Sequence, residues 1–163
     1  MRLLATLLAV WLALAAVPSS GDSGPASASP WGTARVEETR YPPRKVIYDV
    51  VSRDPAVLAN VLDRASFVST LYGADPFDGA IVLVVHGDAI ELFANRNHAR
   101  HRELMARAQS LSVGGIIRFR LCRAAARMRG YGAEDVHGFL TLVPMADAEI
   151  IRLQTDEGYA YMR

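Results

Sequence analysis

Six consecutive positions, Ala80-Ile81-Val82-Leu83-Val84-Val85, are apolar. A strand that alternates apolar and polar residues can leave one face in water, but one that is apolar throughout has to be covered on both. The run therefore predicts an inner strand of a parallel sheet with helices on either side. The flanking sequence has the matching rhythm. Lys45 to Val51 is a short β-branched run closed by Ser52-Arg53-Asp54-Pro55, where Asp54 suits a helix N-cap and Pro55 the first helical position. Leu58, Val61, Leu62, Ala65, Val68 and Tyr72 then recur at spacings of three and four, with Gly73 as a left-handed stop.

Downstream, Leu104, Met105, Ala108 and Leu111 mark a second helix ended by Gly114-Gly115, and Ile116 to Leu121 forms a third strand. Arg123 to Arg129 reads as a short helix, Phe139 to Val143 as a fourth strand, and Ala146 to Asp156 as a last helix with Ile150, Ile151 and Leu153 inward. Tyr159 to Met162 closes the chain as a short strand. Strands and helices alternating at this spacing give an α/β fold whose sheet is built from right-handed crossovers. The third strand departs from the pattern: Ile117, Phe119 and Leu121 share one face, while Arg118, Arg120 and Cys122 share the other. Two arginines on one face of a covered strand point to a sheet edge or, as favoured here, to a subunit contact.

The first 16 residues have the form of a signal peptide. Arg2 is followed by an uncharged run from Leu3 to Val17 with small residues at Ala13, Ala15 and Ala16. A spanning helix needs about 20 apolar residues, and this run stops short at Pro18-Ser19-Ser20-Gly21, so cleavage, export and a periplasmic location are expected. Residues 17–43, rich in Ser, Gly, Pro and Ala, read as a disordered linker. Residues 44–163 are of single-domain size. The net charge of +1 falls to zero with the loss of Arg2, which gives no electrostatic case for nucleic acid or for an anionic membrane surface as partner.

Cys122 is the only cysteine, and it stands where the third strand gives way to a helix. In open parallel sheets, ligands bind beyond the carboxyl ends of the strands, and amides at a helix start favour a thiolate. No phosphate loop and no nucleophile elbow accompany it. Arg118, Arg120, Arg123, Arg127 and Arg129 crowd around it in sequence and could balance negative charge. The same rim should carry Asp49 from the first strand and His86 and Gly87 from the second, so Cys122 and His86 are the catalytic candidates, with Asp49, Gly87, Arg120 and Arg123 as binding candidates. Burial of Cys122 as a small hydrophobe, a backbone-bonded His86 and a turn role for Asp49 are the structural alternatives. His98 and His101 stand one turn apart without a third residue at metal-ligand spacing, so both are placed on a polar helix face and no metal is expected. His137 reads as a loop residue, and Tyr159 and Tyr161 as packing.

Four motifs together, Lys45-Val46-Ile47-Tyr48-Asp49-Val50, Val84-Val85-His86-Gly87, Arg118-Phe119-Arg120-Leu121-Cys122 with Arg129-Gly130-Tyr131, and Glu157-Gly158-Tyr159-Ala160-Tyr161, resemble the DsrE/DsrF-like family over residues 44–163. The resemblance implies a three-layer α/β/α sandwich with a mostly parallel five-stranded sheet, assembled as a trimer or hexamer. It also implies that Cys122 accepts and donates sulfane sulfur as a persulfide, without a cofactor, between donor and acceptor proteins. Better-known relatives are cytoplasmic, whereas the leader-like segment here suggests an exported member. Two functions follow: a sulfur carrier or sulfurtransferase working through Cys122, and a non-catalytic oligomeric module that binds a small ligand or a partner protein at the strand-end rim. Accessibility of the thiol separates them.

Overall fold

A computed structural model describes residues 31–162. The signal segment read at residues 1–16 and the first part of the linker lie outside the described residues. The chain divides into two compact units, residues 1–38 and 39–163. Of the first, Trp31 to Glu38 is exposed chain without helix or strand. No described helix is long and apolar enough to cross a membrane.

The second unit is a five-stranded, all-parallel sheet in the order β4-β3-β2-β1-β5. Its strands are β1 (Lys45–Val50), β2 (Ala80–Val85), β3 (Ile117–Cys122), β4 (Thr141–Val143) and β5 (Ala160–Met162). The helices are α1 (Pro55–Leu71), α2 (His98–Ser112), α3 (Arg123–Met128) and α4 (Ala146–Glu157). The path explains the layers. From β1 to β4 each crossover steps the same way across the sheet, so a right-handed turn puts α1, α2 and α3 on one face. The return from β4 to β5, on the far side of β1, reverses direction and puts α4 on the other. The result is the three-layer α/β/α sandwich that the motifs imply.

Burial follows from this path. Ile81, Leu83 and Val85 pack with Val46, Tyr48 and Val50 against Leu58, Leu62, Met105 and Phe93 on the α1/α2 face. Ile47, Val82 and Val84 pack with Ala146, Leu153 and Tyr159 on the α4 face. All six residues of β2 are buried, as the unbroken apolar run requires. The caps also match the sequence. Asp54 Oδ1 accepts the Ala56 amide at 2.8 Å with Pro55 in the first turn of α1, and Gly73, at φ 72°, follows α1 in the left-handed conformation that glycine tolerates best.

Two expectations need correction. Ile151 is 60 % exposed rather than inward, because α4 turns the stripe Ala146, Glu149, Ile150 and Leu153 toward the sheet instead. The fourth strand begins at Thr141 rather than Phe139: Phe139 stacks edge-on against Phe93 and Phe119, at centroid distances of 6.4 and 5.3 Å, outside the ladder. β3 lies second from the sheet edge, next to β4, where Arg120 pairs with Glu149 of α4 and Arg118 donates to the Tyr159 hydroxyl.

Candidate functional site

Asp49, His86 and Cys122 stand on the three neighbouring strands β1, β2 and β3, at the carboxyl rim. Asp49 follows Ile47 by two residues and Cys122 follows Arg120 by two, so both belong to the α4 face of the sheet. The register pairs Asp49 with Val84 and Leu121 with Val85, which brings the last residues of the three strands to one end.

Cys122 is the N-cap of α3. Its backbone is extended, at φ −66° and ψ 108°, and its Sγ accepts the Ala125 amide at 3.5 Å. A second amide, from Ala146 at the start of α4, reaches the same sulfur at 3.3 Å. The two helix starts are tied together by Ala124 N–H donating to the Pro144 carbonyl at 3.2 Å. Sulfur thus takes the place usually held by a serine or aspartate oxygen and serves two helices at once. The residue is 5 % exposed, packed in the cluster of Val82, Val84 and Leu153.

His86 does not share this network. Its Nε2 lies 2.7 Å from Asp49 Oδ1, and the Tyr161 hydroxyl donates to Asp49 Oδ2 at 2.6 Å. Both carboxylate oxygens of Asp49 are therefore engaged, one by a strand-end imidazole and one by the edge strand β5. The side chains of His86 and Asp49 are 22 % and 18 % exposed, so the pair sits in the wall of the rim. Among the described residues the imidazole and the sulfur are not hydrogen-bonded to each other: the Cys/His/Asp set resolves into a doubly hydrogen-bonded thiol and a separate Asp49–His86–Tyr161 chain. A cavity of about 410 Å³ touches that chain, lined by Asp49, Tyr161, Asp147, Ile150, Ile151 and Gln154.

Gly87 has a conformational job. At φ 57° it turns the chain after β2, and a β-carbon there would stand 2.8 Å from Val51 Cγ1. Arg120 pairs with Glu149, the one buried carboxylate among the described residues. Arg152 donates to both oxygens of Glu149, at 3.1 and 2.8 Å, and to Glu157 at 2.6 Å. Burial, with the like charges of Arg118 and Arg152, lowers the Arg120 pKa below its usual value, while Glu157 and Tyr159 oppose the shift. Arg118 donates to the Tyr159 hydroxyl at 2.8 Å. Arg129 holds Asp88 at 2.7 Å, and Arg123 is exposed on α3. None of the arginines that crowd Cys122 in sequence bonds to its sulfur.

The histidines expected on a polar face are differently placed. His101 leaves helical geometry, at φ −119° and ψ 22°, and kinks α2. His98 meets His137 edge-on, with ring centroids 5.2 Å apart. No group of three or more metal-binding side chains occurs among the described residues.

Glu149 and Tyr161 went unread in the sequence as site residues. For Glu149 a signal exists: it occupies the inward stripe 146, 149, 150 and 153 of α4, opposite a strand that carries two arginines.

A protein of unknown function from Methanobacterium thermoautotrophicum has a similar structure, with a TM-score of 0.56 at 19 % identity, covering 74 % of this chain and 98 % of its own. That likeness concerns the fold. No curated protein matches the chain. The model of the DsrE/DsrF-like family matches residues 45–163, which span β1 to the carboxyl terminus, and the chain belongs to that family.

Proposed function

We propose that this protein is a sulfur carrier or sulfurtransferase-like relay that passes sulfane sulfur through a Cys122 persulfide. The observation that carries the reading is the position of Sγ at a strand-to-helix junction, facing the Ala125 and Ala146 amides. Two N–H dipoles aimed at one sulfur stabilise the negative charge that Sγ carries as the attacking thiolate and regains as the leaving group when the sulfur is passed on. The Cys122 thiolate attacks the terminal sulfur of a donor persulfide, RSSH. A new S–S bond forms at Sγ, the donor S–S bond breaks, and RS⁻ departs with its electron pair, so no net oxidation occurs. Attack by an acceptor thiolate on the outer sulfur then restores Cys122. Asp49 fixes the imidazole of His86 at the end of the neighbouring strand β2, where it can serve as an acid–base group.

Family membership supports assembly into a homo-oligomer, a trimer or hexamer, and the Leu3 to Val17 run supports export to the periplasm. Light scattering and N-terminal sequencing of natively produced material test these two points. Incubation with polysulfide followed by intact mass spectrometry tests the chemistry: a gain of one sulfur on the wild type and none on Cys122→Ser. The 5 % exposure of Cys122 favours the second reading, a binding module whose ligand occupies the cavity beside Asp49 and Tyr161. A native thiol that resists iodoacetamide until the protein unfolds establishes that reading in place of the first.

A further inference from the structure

A second concave region opens at the same end of the sheet, and it shares no residue with the thiol site or the Asp49–His86 pair. It is a cleft of about 860 Å³ between the loop after β1, the turn after β2 and the start of α2. Its lining is polar and rich in arginine. Four arginines (Arg53, Arg96, Arg100 and Arg129) face three carboxylates, those of Asp54, Asp88 and Glu91. The simple count hides how the carboxylates are used. Asp54 caps α1 through the Ala56 amide, Asp88 is held by Arg129 at 2.7 Å, and Glu91 takes Arg96 at 3.2 Å, Asn97 at 3.2 Å and the Tyr131 hydroxyl at 2.9 Å. Each acid thus has a partner of its own, and the bonds from Arg129 and Tyr131 tie the turn after β2 to the end of α3.

Arg53 and Arg100 remain. Neither forms an ion pair among the described residues. They come from different elements, Arg53 from the loop after β1 and Arg100 from the first turn of α2, and line the same cleft. His101 lies beside Arg100 at the point where α2 departs from helical geometry. A second hollow of about 890 Å³, continuing across Pro55, Arg100 and His101, makes Arg100 the common wall of both. Scattered surface arginines are ordinary, but two guanidinium groups without an ion pair, lining one concavity of ligand size whose carboxylates have other partners, form a receptor for negative charge.

We propose that this cleft binds a small molecule bearing a dianionic oxyanion group of the phosphate or sulfate type, held between Arg53 and Arg100. Guanidinium groups present paired N–H donors that match two oxygens of such a group, and two arginines from separate elements can share it. A tetrahedral oxyanion fits better than a single carboxylate, because it offers oxygens enough for both guanidinium groups, neither of which has an ion-pair partner in the cleft. The site is independent of the thiol chemistry and stands whether or not Cys122 carries sulfur.

The test is calorimetric titration of the full chain with inorganic phosphate, pyrophosphate and sulfate, at ionic strength held constant with sodium chloride. Saturable binding of at least one probe is expected, weakened about tenfold by Arg100→Ala and similarly by Arg53→Ala, since each removes a charge-assisted contact. Arg40→Ala removes a charge outside the cleft and should leave the affinity unchanged. Because both cleft arginines are exposed, the variants should fold, and circular dichroism checks that they do. Arg100→Gln and Arg53→Gln, which keep length but lose charge, should reproduce the loss. The absence of saturable heat with all three probes, or equal weakening by Arg40→Ala, would overturn the proposal.

Discussion

The two faces of this sheet are built on different physics. The α1/α2 face is dry: Ile81, Leu83 and Phe119 of the inner strands meet Leu58, Leu62, Phe93 and Met105, all 2 % exposed or less. The α4 face begins the same way under β1 and β2, with Ile47, Val82 and Val84, and then turns polar under β3, where Arg120 meets Glu149 and Arg152. One helix covers this second face where three cover the first. A strand next to a thin cover can carry charged residues if the covering helix brings a counter-charge, and Glu149 is that counter-charge. Cys122 and Asp49, the residues with chemistry to offer, both belong to the polar-capable face, while the dry face supplies rigidity.

The largest expected effect lies on the dry face. Phe119→Ala removes a ring packed against Phe93 and Phe139, at centroid distances of 6.2 and 5.3 Å, and should cost about 3–5 kcal/mol in urea unfolding. A loss below about 1 kcal/mol would show that this face repacks freely, and the contrast between the faces would disappear.

Next comes the ion network. Glu149→Gln leaves Arg120, 20 % exposed at its side chain, without its anion and should destabilise by about 1–3 kcal/mol. The paired replacement Arg120→Met with Glu149→Leu should recover most of that loss, because an apolar pair of similar volume avoids both desolvation costs. Failure of the double variant to recover would mean that the network does more than neutralise itself, for instance by holding the start of α4 against Cys122. The pH dependence has a defined sign. The hydrogen bond from Arg152 lowers the Glu157 carboxyl pKa against the opposing effect of burial. Its stabilisation is therefore complete above the ordinary value of about 4.5 and is lost as pH falls toward the folded value.

A smaller effect is expected at the rim. Tyr161→Phe removes the hydroxyl that donates to Asp49 Oδ2 and should cost about 0.5–1.5 kcal/mol at most. If the sulfur-relay reading holds, it should also slow persulfide transfer less than Asp49→Asn does, since the bond from His86 to Oδ1 survives. Equal slowing by both would make Tyr161 as important as the imidazole's own partner.

The difference between the faces also explains what the sequence discloses. The buried run of β2 is legible because binary patterning is local: six apolar residues in a row leave one solution. The caps at Asp54 and Gly73 are legible for the same reason. Cys122 at a helix start is visible, but the Ala146 amide that meets its sulfur comes from a residue 24 positions on, and only the fold brings it there. The Arg120–Glu149 and Tyr161–Asp49 contacts are long-range in the same way. Phe139 and Leu140 are apolar because they cover the end of the sheet, and a window of sequence cannot tell a cover from a strand.

The finest distinction concerns a polar intruder on the dry side. His137 stacks on Phe139, with ring centroids 5.8 Å apart, and its buried Nε2 has no hydrogen-bond partner. Burial, helped by the neighbouring His98, lowers its pKa below the usual 6.5. An imidazole that protonates less readily when folded than when unfolded leaves stability untouched above about pH 6.5 and erodes it as pH falls from there toward the folded value. His137→Phe keeps the ring and removes both the orphaned nitrogen and the titration. Thermal unfolding should therefore show a gain over the wild type that is larger at pH 5 than at pH 8, with the other histidines and the carboxylates contributing equally to both proteins. A gain of the same size at the two pH values would mean that the nitrogen costs only as an unsatisfied polar atom. No gain at either would mean that His137 is already served by water, and that the dry face is wetter at this corner than its packing indicates.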